Sequence, residues 1–188
     1  MYKIEAPWPE LRPLMRYINE LWACKCFPDL HQLGLYPNAK ELTESAAAYN
    51  ALRSKARVFD LGDPDVTLIS VADGNTPRTA ALFAFRSAWD CISIDPRLKR
   101  VTWSTIERLA CWKAKVEDCI HHHYHKLVIV AVHSHAPLDV VCEKFTADQR
   151  VVVAMPCCVP QRRERPPDLE YVDKGIWSPQ NKMLVWID

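Results

Sequence analysis

Glycine is scarce in this chain, with four residues in 188. That shortage excludes two phosphate cradles. The G-x-G-x-x-G turn of dinucleotide-binding sheets needs glycines so that backbone can approach a pyrophosphate, and the sequence holds no such run. The P-loop pattern G-x-x-x-x-G-K-[ST] is missing as well. An excess of one charge is also lacking, because 24 Lys and Arg stand against 23 Asp and Glu. The chain therefore carries no global electrostatic footprint for nucleic acid, which leaves only a local basic patch to consider. Long apolar runs are absent too. The longest strongly apolar one, Leu127 to Val132, is far too short to cross a bilayer. The opening residues MYKIEAPWPELR have no apolar core of the secretory type.

What is present is an ordinary globular composition, 49% apolar and 25% charged. Eight cysteines are spread along the chain, and several, Cys91, Cys111 and Cys142 among them, sit in apolar runs where a thiol behaves as a small hydrophobe. Free thiols and no secretory signal imply a reducing compartment. The expectation is a soluble intracellular protein, cytoplasmic or nuclear, without a membrane segment. The length suits one domain. Residues 1–60 read as an N-terminal helical extension and residues 61–188 as a Rossmann-like core.

The extension opens with Leu11, Leu14, Met15, Ile18, Leu21 and Trp22 at helical spacing from Trp8 to Trp22. Residues 23–38 read as an irregular connection, and Ala39 to Phe59 as a second helix. Strand and helix then alternate. Thr67 to Val71 is a strand. Thr76-Pro77 opens a helix to about Ser87, with proline where its missing N–H costs nothing. Cys91 to Ile94, Leu127 to Val132 and Arg150 to Met155 are further strands, and Leu109 to Val116 is a third strand or a helix end. Leu138 to Phe145 is a short helix. Leu169 to Val172 and Met183 to Ile187 form a terminal antiparallel pair. Short continuous apolar runs suit strands covered on both faces. The fold class is α/β, a doubly wound and mostly parallel sheet with helices on both faces and antiparallel C-terminal edge strands.

The functional signal lies between Val66 and Pro96. The turn after the first strand is Ala72-Asp73-Gly74-Asn75-Thr76-Pro77, with one glycine. Its acidic residue argues against a pyrophosphate and suits a ligand with an ammonium group. S-adenosylmethionine has one, and a ribose besides. Asp95 follows the second strand, 22 positions after Asp73, close to the spacing of a ribose-binding acid. Glu117 or Asp118, after the third strand, is placed to face the adenine amine.

The segments VADGNTP, CISIDP, KVED and VIVAVHSHAP resemble the class I S-adenosylmethionine-dependent methyltransferase superfamily, of which this chain would be a divergent member. The resemblance covers roughly Ala39 to Asp188. Val132-His133-Ser134-His135 and Met155-Pro156-Cys157-Cys158 are similar to a branch whose members include RNA modifiers. The resemblance implies S-adenosylmethionine as cofactor, with Asp73, Gly74, Asn75 and Thr76 at the methionine end and Asp95 and Pro96 at the ribose. It places His133 or His135 nearest the acceptor, and RNA among the acceptors. The turn departs from the superfamily pattern of two or three glycines, and Arg78 follows it. A second reading is therefore a Rossmann-like scaffold or interaction module that has lost the cofactor. A third is a binder or hydrolase of another nucleotide, with Arg78 taking a phosphate.

Each singled-out residue also has a plainer role. Asp73 and Asp95 suit a turn and a helix cap, although their joint placement after consecutive strands favours a ligand. Cys157-Cys158 reads as a buried structural pair. His121, His122, His123 and His125 read as a solvated surface ahead of a strand, since successive side chains do not converge on one ion. Cys24 and Cys26 with His31 offer three donors and lack a fourth, so no metal is expected. Arg162, Arg163 and Arg165 form a loop near the presumed ligand edge, suited to RNA phosphates if RNA is the partner. The N-terminal helix is the other candidate surface for a protein partner.

Overall fold

Seven strands form one sheet in the order β3-β2-β1-β4-β5-β7-β6. They are β1 (Val66–Val71), β2 (Asp90–Ile94), β3 (Leu109–Trp112), β4 (His122–Val132), β5 (Phe145–Met155), β6 (Leu169–Val172) and β7 (Lys182–Ile187). The computed structural model describes residues 8–99, 103–161 and 163–188. β1 to β5 run parallel, and β7 is antiparallel to both β5 and β6. The sequence order reverses beside β1, which opens the crevice where such sheets take ligands.

Alternate residues of each strand serve two cores. Val66, Leu68, Val128, Val130, Val151 and Val153 face one layer of helices. Ile69, Val71, Ile129, Ala131, Val152 and Ala154 face the other. Full burial on both faces explains why these strands read as continuous apolar runs. The first layer holds α3 (Ala39–Asn50) and α4 (Arg78–Arg86), and α1 (Trp8–Trp22) and α2 (Phe27–Gln32) add Tyr17, Leu21 and Leu30 to the same core. The second holds α5 (Leu138–Lys144) and the short helical turn Val116–Asp118.

The Asn38 side chain accepts from the Glu41 N–H at 3.0 Å and so caps α3. The expected helix from Ala39 to Phe59 ends earlier. It widens into a π-turn over Ala51–Ala56 and stops at Arg57, whose φ is 52°. In α1, Tyr17 and Leu21 are fully buried, whereas Trp22 is 73% exposed, so the expected apolar stripe does not include Trp22. The Tyr17 hydroxyl donates to Asp173 in the β6–β7 turn. No described helix is long and apolar enough to cross a membrane.

Gly175 lets Tyr17 dock. A Cβ there would stand 2.7 Å from Tyr17 Cε2 and 3.2 Å from Asp173 Oδ1. Because the ring is fully buried, it has nowhere to go. Gly175→Ala is expected to destabilise the protein by about 1–3 kcal/mol, read as a lower midpoint in urea. An unchanged midpoint would show that α1 is free to shift.

Two expectations for the amino-terminal edge of the sheet are corrected. His122 to His125 lie inside β4, where they pair with the equally long β5. They alternate across the strand, and His123 and His125 share Asp148 at 3.1 and 2.9 Å. The arginine loop is not at the ligand edge. β6 runs in the same direction as β5, so the chain must return to the opposite edge before β6 begins. There Arg163 and Arg165 bind Asp188 at 2.8 and 2.9 Å, and Arg150 joins them at 2.8 Å. Burial of Asp188 favours its neutral form, but the three guanidinium groups outweigh that and hold its carboxyl far below the usual range. Arg162 lies outside the described residues.

Candidate functional site

The carboxyl ends of β1, β2, β3 and β4 surround a cavity of about 390 Å³. Ala72 follows β1, Asp95 to Arg97 follow β2, Ala114 to Glu117 follow β3, and His133, His135 and Ala136 follow β4. Two of these residues, Ala72 and His133, have φ of 63° and 50°. A left-handed non-glycine residue costs about 1–2 kcal/mol, and such strain gathers where a site needs the backbone held in one place.

A second hollow of about 280 Å³ lies across the turn after β1. Gly74, Asn75 and Thr76 line it with Glu41, Arg78 and Lys99, and Arg97 lines both hollows. Thus Asp95, Pro96, Glu117, His133 and His135 are brought together in the larger cavity, while Gly74, Asn75 and Thr76 line the smaller. Asp73 and Asp118 line neither.

Asp73 turns inward. It is 2% exposed. Its carboxylate accepts from the N–H groups of Thr79 and Ala80 at 3.3 and 3.2 Å, and from the Ser93 hydroxyl at 2.9 Å. It thereby caps α4, which begins at Arg78 behind a proline that offers no side-chain cap. Asp95 holds the turn itself. Its two oxygens accept from Gly74 N–H at 2.8 Å and Arg97 N–H at 2.7 Å. Gly74 has φ of 81°, a conformation that suits glycine.

Arg78 lies across this turn. Its guanidinium donates to the Asp73 carbonyl and sits 3.4 Å from Glu41. A Cβ on Gly74 would stand 3.0 Å from Arg78 Nη1. At the positive end of the α4 dipole this cation is matched by Glu41 and a carbonyl.

His133 is held by a residue that sequence reasoning missed. Its Nε2 lies 2.7 Å from Glu44 Oε1, and Lys40 reaches the same oxygen at 3.0 Å. The Glu44 side chain is 1% exposed. Burial pushes its carboxyl up, but hydrogen bonds and charge from His133 and Lys40 prevail and hold it below its ordinary value. His133 Nδ1 is buried and has no hydrogen-bond partner among the described residues. A carboxylate on Nε2 keeps a proton on that nitrogen, so in the neutral ring the lone pair falls on Nδ1. The one sequence signal for Glu44 is a charged residue leading into the small-residue run Ser45 to Ala48.

His135 meets the paired cysteines. Cys158 Sγ lies 3.3 Å from His135 Nε2 and 3.7 Å from Cys157 Sγ. Cys158 is exposed and Cys157 half-buried, which corrects the expectation of a buried structural pair. Burial disfavours a Cys157 thiolate, yet donation from the N–H groups of Val159 and Cys158 and from the Cys158 thiol lowers its pKa overall.

No protein-family model and no curated protein matches this sequence. Solved structures do match. An S-adenosylmethionine complex of a variant of MtNAS superposes with a TM-score of 0.52 at 10% identity, over 94% of this chain and 72% of that one. An S-adenosylmethionine-dependent methyltransferase from Aquifex aeolicus matches at 0.45 and 8% identity, over 76% of this chain and 96% of that one. Coclaurine N-methyltransferase, solved with N-methylheliamine and S-adenosylhomocysteine, matches at 0.45 and 9% identity, over 97% of this chain and 61% of that one. With its strand order and its antiparallel β5-β7-β6 edge, the chain has an α/β, Rossmann-like fold shared with the S-adenosylmethionine-bound structure of the MtNAS variant.

Proposed function

We propose that this protein binds S-adenosylmethionine across the two hollows and uses His133 to assist methyl transfer. The carrying observation is the His133–Glu44 pair at the wall of a cavity that also holds an acid after β2 and an acid after β3. The larger cavity, about 390 Å³, falls within the range of small-molecule sites. Asp95 and Pro96 suit the ribose, and Glu117 the adenine amine. The smaller hollow suits the amino-acid end. Arg97 and Lys99 are cations for its carboxylate, and Glu41 is the acid facing its ammonium.

Bound there, the cofactor supplies an electrophilic methyl group. The chain's part is positioning and proton transfer. Asp95 fixes the Gly74 turn, and Glu44 fixes the His133 ring, the base nearest the acceptor.

The position of Arg78 favours the second reading, a scaffold without cofactor, because its guanidinium covers the one glycine of the turn. Calorimetric titration separates the two. The full chain is expected to bind S-adenosylmethionine and S-adenosylhomocysteine but not NAD, and Asp95→Ala is expected to abolish binding. No heat with either adenosyl ligand at millimolar concentration would leave the scaffold reading in place.

A further inference from the structure

We propose that His135, Cys157 and Cys158 bind one thiophilic divalent cation, zinc foremost, with the fourth coordination position open. The three ligand atoms lie within 4.8 Å of one another. The two separations that involve Cys158 suit one tetrahedral ion. Two sulfurs about 2.3 Å from zinc lie about 3.8 Å apart, and a sulfur and a nitrogen about 3.6 Å apart. The observed separations are 3.7 Å for the sulfur pair and 3.3 Å for Cys158 and His135.

Strand pairing accounts for this convergence. β4 and β5 are neighbours, and Val132 pairs with Met155 at their carboxyl ends. His135 and Cys158 each stand three residues beyond that pair, so parallel pairing carries them out side by side. Elsewhere among the described residues no other group of three His, Cys, Asp or Glu side chains gathers in this way.

Two cysteines, one histidine and an open position form the donor set of catalytic rather than closed structural zinc. His135 also lines the larger cavity, which puts the open position beside it, for water or a ligand heteroatom. Binding changes no oxidation state. Each thiol enters as a thiolate and gives its proton to buffer. The proposal does not depend on cofactor binding, so either can fail alone.

The test is titration of the reduced full chain with cobalt(II) under anaerobic conditions, followed by competition with zinc. One equivalent is expected to bind with a thiolate-to-cobalt charge-transfer band. Cys157→Ser and Cys158→Ser should each halve that band and weaken binding on the order of a hundredfold. His135→Ala should keep the band and weaken binding. The double variant Cys24→Ser/Cys26→Ser should match the wild type. X-ray absorption of the zinc-loaded wild type needs no variant, and should give two sulfurs at about 2.3 Å and one histidine nitrogen at about 2.0 Å. Absence of stoichiometric binding, a four-sulfur shell, or unchanged binding in Cys157→Ser and Cys158→Ser would overturn the site.

Discussion

Asp73→Ala is expected to cost about 3–5 kcal/mol and to lower Tm by roughly 10 °C. The carboxylate is almost fully buried and accepts three hydrogen bonds, two of them from the first turn of α4. Removing it leaves the Thr79 and Ala80 N–H groups and the Ser93 hydroxyl without that acceptor in the interior. It also removes a negative charge from the positive end of the helix dipole. Asp73→Asn retains an acceptor and should cost about half as much. Urea denaturation at neutral pH measures both. A cost below about 0.5 kcal/mol for Asp73→Ala would mean that the carboxylate serves a ligand and not the helix. Because Asp73 lines neither hollow, the folded Asp73→Asn protein should also keep its adenosyl-ligand affinity, whereas Asp95→Ala should lose it.

That contrast shows how far the sequence reaches. Asp73 and Asp95 are both legible as acids at the carboxyl edge, since each follows a continuous apolar run that sterics and burial make a strand. The direction each carboxylate takes is not legible. It depends on which N–H groups lack partners: the start of α4 for Asp73, the glycine turn and Arg97 for Asp95. Likewise β1, β2, β4 and β5 announce their buried portions. The polar halves of β4 and β5 do not, because His122 to Lys126 become strand only through pairing with Phe145 to Gln149. Arg163 and Arg165 look like free cations by spacing, yet strand direction places them against Asp188. Glu44 was invisible because its partner lies 89 positions away. The His135–Cys158 meeting, by contrast, follows once β4 and β5 are known to be neighbours in register.

His133→Ala is expected to cost about 3 kcal/mol at neutral pH, because it strips the main partner from a buried carboxylate. The sign with pH follows from Glu44. In the wild type its folded pKa is depressed. Its contribution is therefore present above the unfolded value of about 4.3 and is lost as pH falls through the folded value. In His133→Ala the burial penalty prevails, leaving Lys40 alone on Oε1, and the folded pKa rises above the unfolded one. Glu44 then destabilises the protein at neutral pH, and protonation removes that penalty on acidification. The stability gap between the two proteins should thus be widest near neutrality and shrink below about pH 4. Adding Glu44→Gln to His133→Ala should recover part of the loss at neutral pH and flatten the remaining slope. The double-mutant cycle should give a coupling of about 1–3 kcal/mol. A pH-independent gap, or additive costs, would mean that the His133–Glu44 contact carries little energy. The imidazole at the cavity wall would then lack the fixed orientation on which proton transfer from an acceptor depends.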